Sequence, residues 1–157
     1  MSPYLHQPVD SIIIYLTWWY NLSRGKTFRT QTFSRWMQKI GLTDEVLCRA
    51  VSEMTHGLID AELGGCILKK RMPLPGLGKR GGARTIVATK LTGHWFFLYG
   101  FGKNERANIS REELKLLQEV AKELLEFDDD QLAIALAAGE ILEVHNDGNE
   151  TQEPYSG

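Results

Sequence analysis

"GKRGGARTIVATKLTGHWFFLYGFGKNERANISREELKLLQEVAKELL", Gly78 to Leu125, changes its hydrophobic period partway and so decides the fold. Ala83 to Lys90 is rich in β-branched residues and His94 to Phe101 is aromatic, which predicts two strands. Leu91, Thr92 and Gly93 give them a short hairpin turn. From Ser110 the period becomes helical. Ser110 and Glu113 have capping-box spacing, and Leu114, Leu117, Ala121 and Leu124 share one face.

Working outward, Cys66 to Met72 ("CILKKRM") reads as a further strand ending in charge. In "TFSRWMQKIG" the apolar residues Phe33, Trp36, Met37 and Ile40 recur at helical spacing, with Thr30 or Thr32 as N-cap and Gly41 as terminator. A second helix follows, capped by Thr43, with Asp44 and Glu45 in its first turn, Leu47, Val51 and Met54 as its stripe and Gly57 at its end. So short a link predicts an antiparallel helix hairpin. Downstream, "FDDDQLAIALAAGEILEV" predicts a small Ala-rich helix capped by Asp129 or Asp130 and ending near Gly139. The expected fold class is α+β: an N-terminal helix hairpin packed on a small antiparallel β-sheet, with C-terminal helices.

Length and composition restrict the function. At 157 residues the chain makes one domain with short appendages. Its 2 cysteines, Cys48 and Cys66, have no CxxC or Cys/His spacing, which argues against a disulfide framework and a zinc site. The apolar run Ser11 to Tyr20 is half the roughly 20 residues of a bilayer span. The expectation is a cytoplasmic protein with no membrane partner, no metal and no cofactor.

Charge is divided along the chain. Arg24 to Lys115 holds 17 Lys and Arg against 8 Asp and Glu, whereas Leu116 to Gly157 holds 1 against 11. Gly65 to Lys90 alone has seven cations and no acid. Such an asymmetry points to a polyanion-binding body with an acidic tail. Between the first two of these strands, Pro73 and Pro75 restrict the backbone while Gly76, Gly78, Gly81 and Gly82 allow close approach, so a phosphate fits there. Gly76, Gly78 and Gly81 spell G-x-G-x-x-G, but prolines precede and a strand follows, which excludes the dinucleotide fingerprint. A P-loop fails as well, because Arg80 stands where Ser or Thr is required.

The ordered run of G-K-R-G-G-A-R, an aromatic strand, G-F-G-K-N-E-R and a capped helix resembles the RelE/ParE superfamily of bacterial toxins, in the RelE/HigB-like group of prophages and addiction modules. "FRTQTFSRWMQKIGLTDEVLCRAVSEMTHGLIDAELGG" is similar to that group's helix hairpin. The resemblance covers about Lys26 to Val144. It implies a toxin domain over 24–144, an N-terminal extension over 1–23 outside the family, and a disordered tail over 145–157. The extension is read as an added strand or as sequence upstream of the family's usual start.

The resemblance further implies the toxin of a type II toxin–antitoxin module, a metal-independent, ribosome-dependent messenger-RNA endoribonuclease (mRNA interferase) that inhibits translation. Its expected partners are messenger RNA, the ribosome and a cognate antitoxin of helix-turn-helix DNA-binding type. Two alternatives stay open: a gyrase-targeting ParE-like toxin, and a non-catalytic RNA- or antitoxin-binding module. RNA cleavage by the 2′-hydroxyl needs a proton acceptor, a proton donor and cations for the charge gained at phosphorus. Carried over residue by residue, the expected catalytic set is Arg84, Lys103, Lys79 and Tyr99, with Arg84 on the scissile phosphate. The expected RNA-binding set is Lys69, Lys70, Arg71, Arg80, Phe101 and Arg106. Tyr99 and Phe101 alternate onto one face with Phe97, with Phe96 and Leu98 opposite, and the pattern leaves open which set faces the core. His94, beside the turn, is expected to be exposed, and His56 to interact with a helix C-terminus.

Overall fold

The computed structural model describes residues 12–13, 25–74 and 78–145, with backbone alone for residues 78–81. The readings made for the extension, for the loop tip at Pro75 and Gly76 and for the tail beyond His145 lie outside these residues. The described chain runs β1 (Thr27–Thr30), α1 (Gln31–Ile40), α2 (Asp44–Thr55), β2 (Ala61–Gly64), β3 (Ile67–Leu74), β4 (Gly78–Thr89), β5 (Trp95–Gly102), α3 (Arg111–Leu125), α4 (Asp129–Ala137) and β6 (Ile141–Glu143).

Local chemistry sets the helix ends. Thr30 accepts from the Phe33 amide to start α1, and Gly41, at φ 82°, closes it in the left-handed region that a side chain disfavours. Ser110 and Glu113 form the expected capping box on α3. The cap of α4 is Asp128, one position before the two that the sequence suggested; its carboxylate accepts from the Gln131 amide. Thr43 stands at the N-cap of α2 with no side-chain bond to the helix.

The sheet is six-stranded, in the order β2-β3-β4-β5-β1-β6, and mixed. The expectation of a purely antiparallel sheet is thereby corrected: β1 pairs parallel with β5, Phe28 opposite Phe96, and antiparallel with β6. The expected hairpin of α1 and α2 is not what secures them, because α1 lies over β5 and α2 over β3, each held by the sheet. A second difference concerns the glycine-rich stretch. β4 starts at Gly78, and Leu74 pairs with Gly78, so most of the supposed loop is strand.

Both faces of the sheet are covered. Phe33, Met37, Leu47 and Met54 of α1 and α2 pack with Leu68, Met72, Val87 and Phe97 on one face. On the other, Ala121, Leu124, Leu132 and Ala135 of α3 and α4 pack with Phe28, Ile67, Ile86, Phe96 and Phe101. A register shift opposite Ile86 and Val87 interrupts the alternation of β5. As a result Tyr99 and Phe101 join the face of Phe96 and Leu98, and Phe97 turns to the other. Both aromatic sets therefore meet core.

Past that shift, Gly100 lies beneath Trp36 of α1, and a Cβ there would fall within the indole ring. Gly100→Ala is expected to destabilise the protein by about 1–3 kcal/mol through overpacking. Urea unfolding should show this as a lower midpoint at unchanged slope. Shortening Trp36 in the same chain should recover part of the loss.

Candidate functional site

The register of β3, β4 and β5 assembles the site. Arg71 stands opposite Arg84, and Lys69 opposite Ile86. Across the next ladder Arg84 faces Phe101 and Ile86 faces Tyr99. Directly opposed residues share a face, with Cβ atoms about 4.5–5.5 Å apart. Lys69, Arg71, Arg84, Tyr99 and Phe101 therefore occupy one side of the sheet, the side on which α3 packs.

Arg84 is the unusual member. Its Nη1 is buried and has no hydrogen-bond partner among the described residues. A desolvated guanidinium N–H without an acceptor is costly, and an anion brought to it would remove that cost. Its cross-strand neighbour Arg71 is half exposed and held 3.6 Å from Asp60. Lys103 is exposed just past the end of β5, where its amide donates to the Gly82 carbonyl at 3.2 Å. That bond places it against β4, close to Arg84.

Tyr99 is half-buried, and its hydroxyl accepts from Arg106 Nη1 at 3.4 Å. Arg106 is itself fully engaged. It donates to both Glu113 oxygens, at 2.9 and 2.5 Å, and to the Asn108 carbonyl at 2.9 Å, and its guanidinium lies 5.7 Å from the Phe101 ring centre. The clamp holds the Glu113 carboxyl down at about 2, chiefly through the Arg106 hydrogen bonds and next through the Ser110 amide. In return Glu113 raises the Arg106 pKa. Glu113 thus has a second duty beyond capping, one that its local spacing could not reveal.

The remaining residues of the expected site divide. Lys70 alternates to the opposite face and is buried; its Nζ lies 2.8 Å from Glu53 and donates to the Leu58 carbonyl at 2.8 Å. Phe101 is 2% exposed, packed under Arg106 and against Tyr99, so a nucleobase has no access to it. Lys79 and Arg80 lie on the β4 backbone that reaches toward the loop tip, with side chains outside the description. His94 is half-buried instead of exposed. It accepts from the Lys26 amide at 3.0 Å and meets Phe28 edge-on, and burial lowers its pKa. His56 Nδ1 lies 2.8 Å from the Ser52 carbonyl at the end of α2. Among the described residues no cluster of His, Cys, Asp and Glu is placed to hold a metal, and no helix is long and apolar enough to cross a membrane.

The clamp makes a pH prediction. Glu113 has its folded pKa depressed from 4.5 to about 2, so its stabilising contribution is complete above 4.5 and is lost as pH falls toward 2. The urea midpoint of the wild type should exceed that of Glu113→Gln at pH 6, and the difference should shrink through that window. A constant difference would remove the clamp from the account.

Against known proteins, the family model described as the RelE toxin of the RelE/RelB toxin–antitoxin system matches residues 25–144. The curated proteins contain no match to the chain.

Proposed function

The chain belongs to the RelE toxin family, the toxin half of a toxin–antitoxin system with an antitoxin as partner, and on that premise we propose that it cuts messenger RNA on the ribosome. The observation that supports this reading is the buried Nη1 of Arg84, without a partner among the described residues and set on one sheet face with Arg71, Lys69 and Tyr99. A phosphodiester oxygen is the acceptor that such a nitrogen calls for.

In the proposed reaction the substrate's 2′-hydroxyl loses its proton to solvent water and attacks the adjacent phosphorus, the 5′-oxygen leaves with a proton from the protein, and a 2′,3′-cyclic phosphate remains. Arg84 holds the phosphate and stabilises the added negative charge, a task for a fixed cation in a water-poor setting. Lys103 stands over the same end of β4, and proton transfer to the leaving oxygen is assigned to it. Tyr99, oriented by Arg106, contributes its hydroxyl at the rim, while Lys69, Arg71, Lys79 and Arg80 hold the flanking backbone. Lys70 and Phe101 are omitted from the contact set because both are buried. Residues 24–144 are the proposed toxin domain, and the antitoxin is proposed to be a DNA-binding protein that covers the basic face.

Purified protein added to programmed ribosomes tests the reading. The expected result is discrete new 5′ ends within the message and upstream fragments ending in cyclic phosphate. Intact message together with gyrase-dependent DNA breakage would replace it with the gyrase-directed alternative, and intact message and DNA would leave a binding module.

A further inference from the structure

Two apolar surfaces of this chain have no cover among the described residues. The first is the outer face of α4. Leu132 and Ala135 of that helix are buried, but Ala133, Ile134 and Ala137, with Ala138 just beyond, are exposed, Ile134 at 68%. Asp130, exposed one turn before Ile134, ends this stripe on its N-terminal side; from Ala133 to Ala138 the outer face has no charge, and exposed apolar patches mark interaction sites. The second belongs to the N-terminal segment. Ile12 and Ile13 are helical and 56% and 58% exposed, within the run Ser11–Tyr20 that also holds Ile14, Leu16, Trp18 and Trp19.

Topology places the start of β1, which the N-terminal segment precedes in sequence, beside α4. β1 lies beside β6, with Val144 donating to the Thr27 carbonyl at 2.8 Å, and Gly139 turns α4 into β6. The start of β1 is fixed next to the start of α4: Lys26 donates to His94, and His94 lies within electrostatic range of Asp129. Gly25 is pressed against the Gly93 backbone, so the chain leaves the domain at that corner. Charge agrees with this placement. Arg24 precedes the exit, and Asp128, Asp129 and Asp130 cluster at the N-terminus of α4. The chain between Ile13 and Gly25 spans about 18 Å as helix and more if extended. The 9 residues of α4 need only about 13 Å.

We propose that the N-terminal apolar segment, residues 11–20, docks on the outer face of α4 over Ile134 and Ala137. The segment becomes a third layer at this corner, tied to the sheet through β1 and β6. It covers the stripe at the β6 end of the sheet, three strands from the β4 that carries Arg84.

Hydrogen exchange on the full chain, read by mass spectrometry, tests the proposal. Amides of residues 12–20 should exchange slowly in the wild type and lose protection by about tenfold or more in Ile134→Asp, the scale of burying one large aliphatic side chain. Leu116→Asp, at a 63% exposed position on α3, should leave that protection intact. Protection of β4 and β5 reports that each variant is folded. Ala137→Asp, about one turn further along the same face, replaces Ile134→Asp should the latter lose it. Fast exchange of residues 12–20 in the wild type, equal protection in Ile134→Asp, or equal loss in Leu116→Asp would overturn the proposal. Protection that disappears on dilution would assign the face to a second copy and overturn it too.

Discussion

Arg84→Ala is expected to reduce cleavage of ribosome-bound message by about 10²–10³-fold, the usual effect of removing one fixed donor to a developing oxyanion. The reduction should appear in the single-turnover rate, because the charge that Arg84 meets grows only as the 2′-oxygen adds. Stability should move little or rise. In the free protein Nη1 is desolvated without an acceptor among the described residues, so truncation removes an unfavourable group along with some packing. Arg84→Lys should fall between the two, since the charge is kept but the planar fork is lost. Lys103→Ala is exposed and should affect rate without affecting the unfolding midpoint. Wild-type cutting by Arg84→Ala would dissociate this residue from the chemistry, whatever became of the toxin reading.

Lys70→Ala should have the opposite profile: a large loss of stability with RNA affinity unchanged in the folded protein. Its ammonium is buried, 2.8 Å from both the Glu53 carboxylate and the Leu58 carbonyl. Breaking a fully buried pair costs about 3–5 kcal/mol. Glu53 retains 24% side-chain exposure, so water recovers part of that and about 2–3 kcal/mol is expected. The paired change Lys70→Met with Glu53→Leu should restore most of the midpoint, because packed apolar side chains can replace an ion pair at little cost. The neighbour Lys69→Ala should leave the midpoint in place and weaken RNA binding, with a shallower salt dependence.

The contrast between Lys69 and Lys70 shows where the sequence stops being informative. Period-two alternation implies that "KKR" cannot present all three cations to one side, yet it does not say which side is sealed by a helix. α1 and α2 seal the side of Lys70, and that depends on how they lie on β5 and β3, a tertiary fact. The long elements were legible because they repeat: α3 has its cap and stripe, and β4 and β5 have runs of one character. β1, β2 and β6, with 4, 4 and 3 residues, are too short for alternation to emerge. Thr30 was recognisable as a cap while the strand it terminates was not. The shift in β5 was equally hidden, since one extra residue in a run of aromatics leaves no compositional trace. At the site, Arg84 and Lys103 came from their motif, whereas the Glu113 clamp on Arg106 required two segments to meet.

The position of β1 affects how this chain can fold. It joins the sheet between β5 and β6, and the nearest partner in sequence lies 68 residues downstream. Such distant pairing raises contact order and slows folding, because the entropy of closing a long loop is lost before the contacts repay it. During synthesis, the β3–β4–β5 meander can form as it emerges, but β1 must wait for β5, and its outer edge stays open until Ile141–Glu143 has left the ribosome. A nascent toxin therefore spends most of its translation incompletely assembled, with a hydrogen-bonding edge available to whatever strand arrives first.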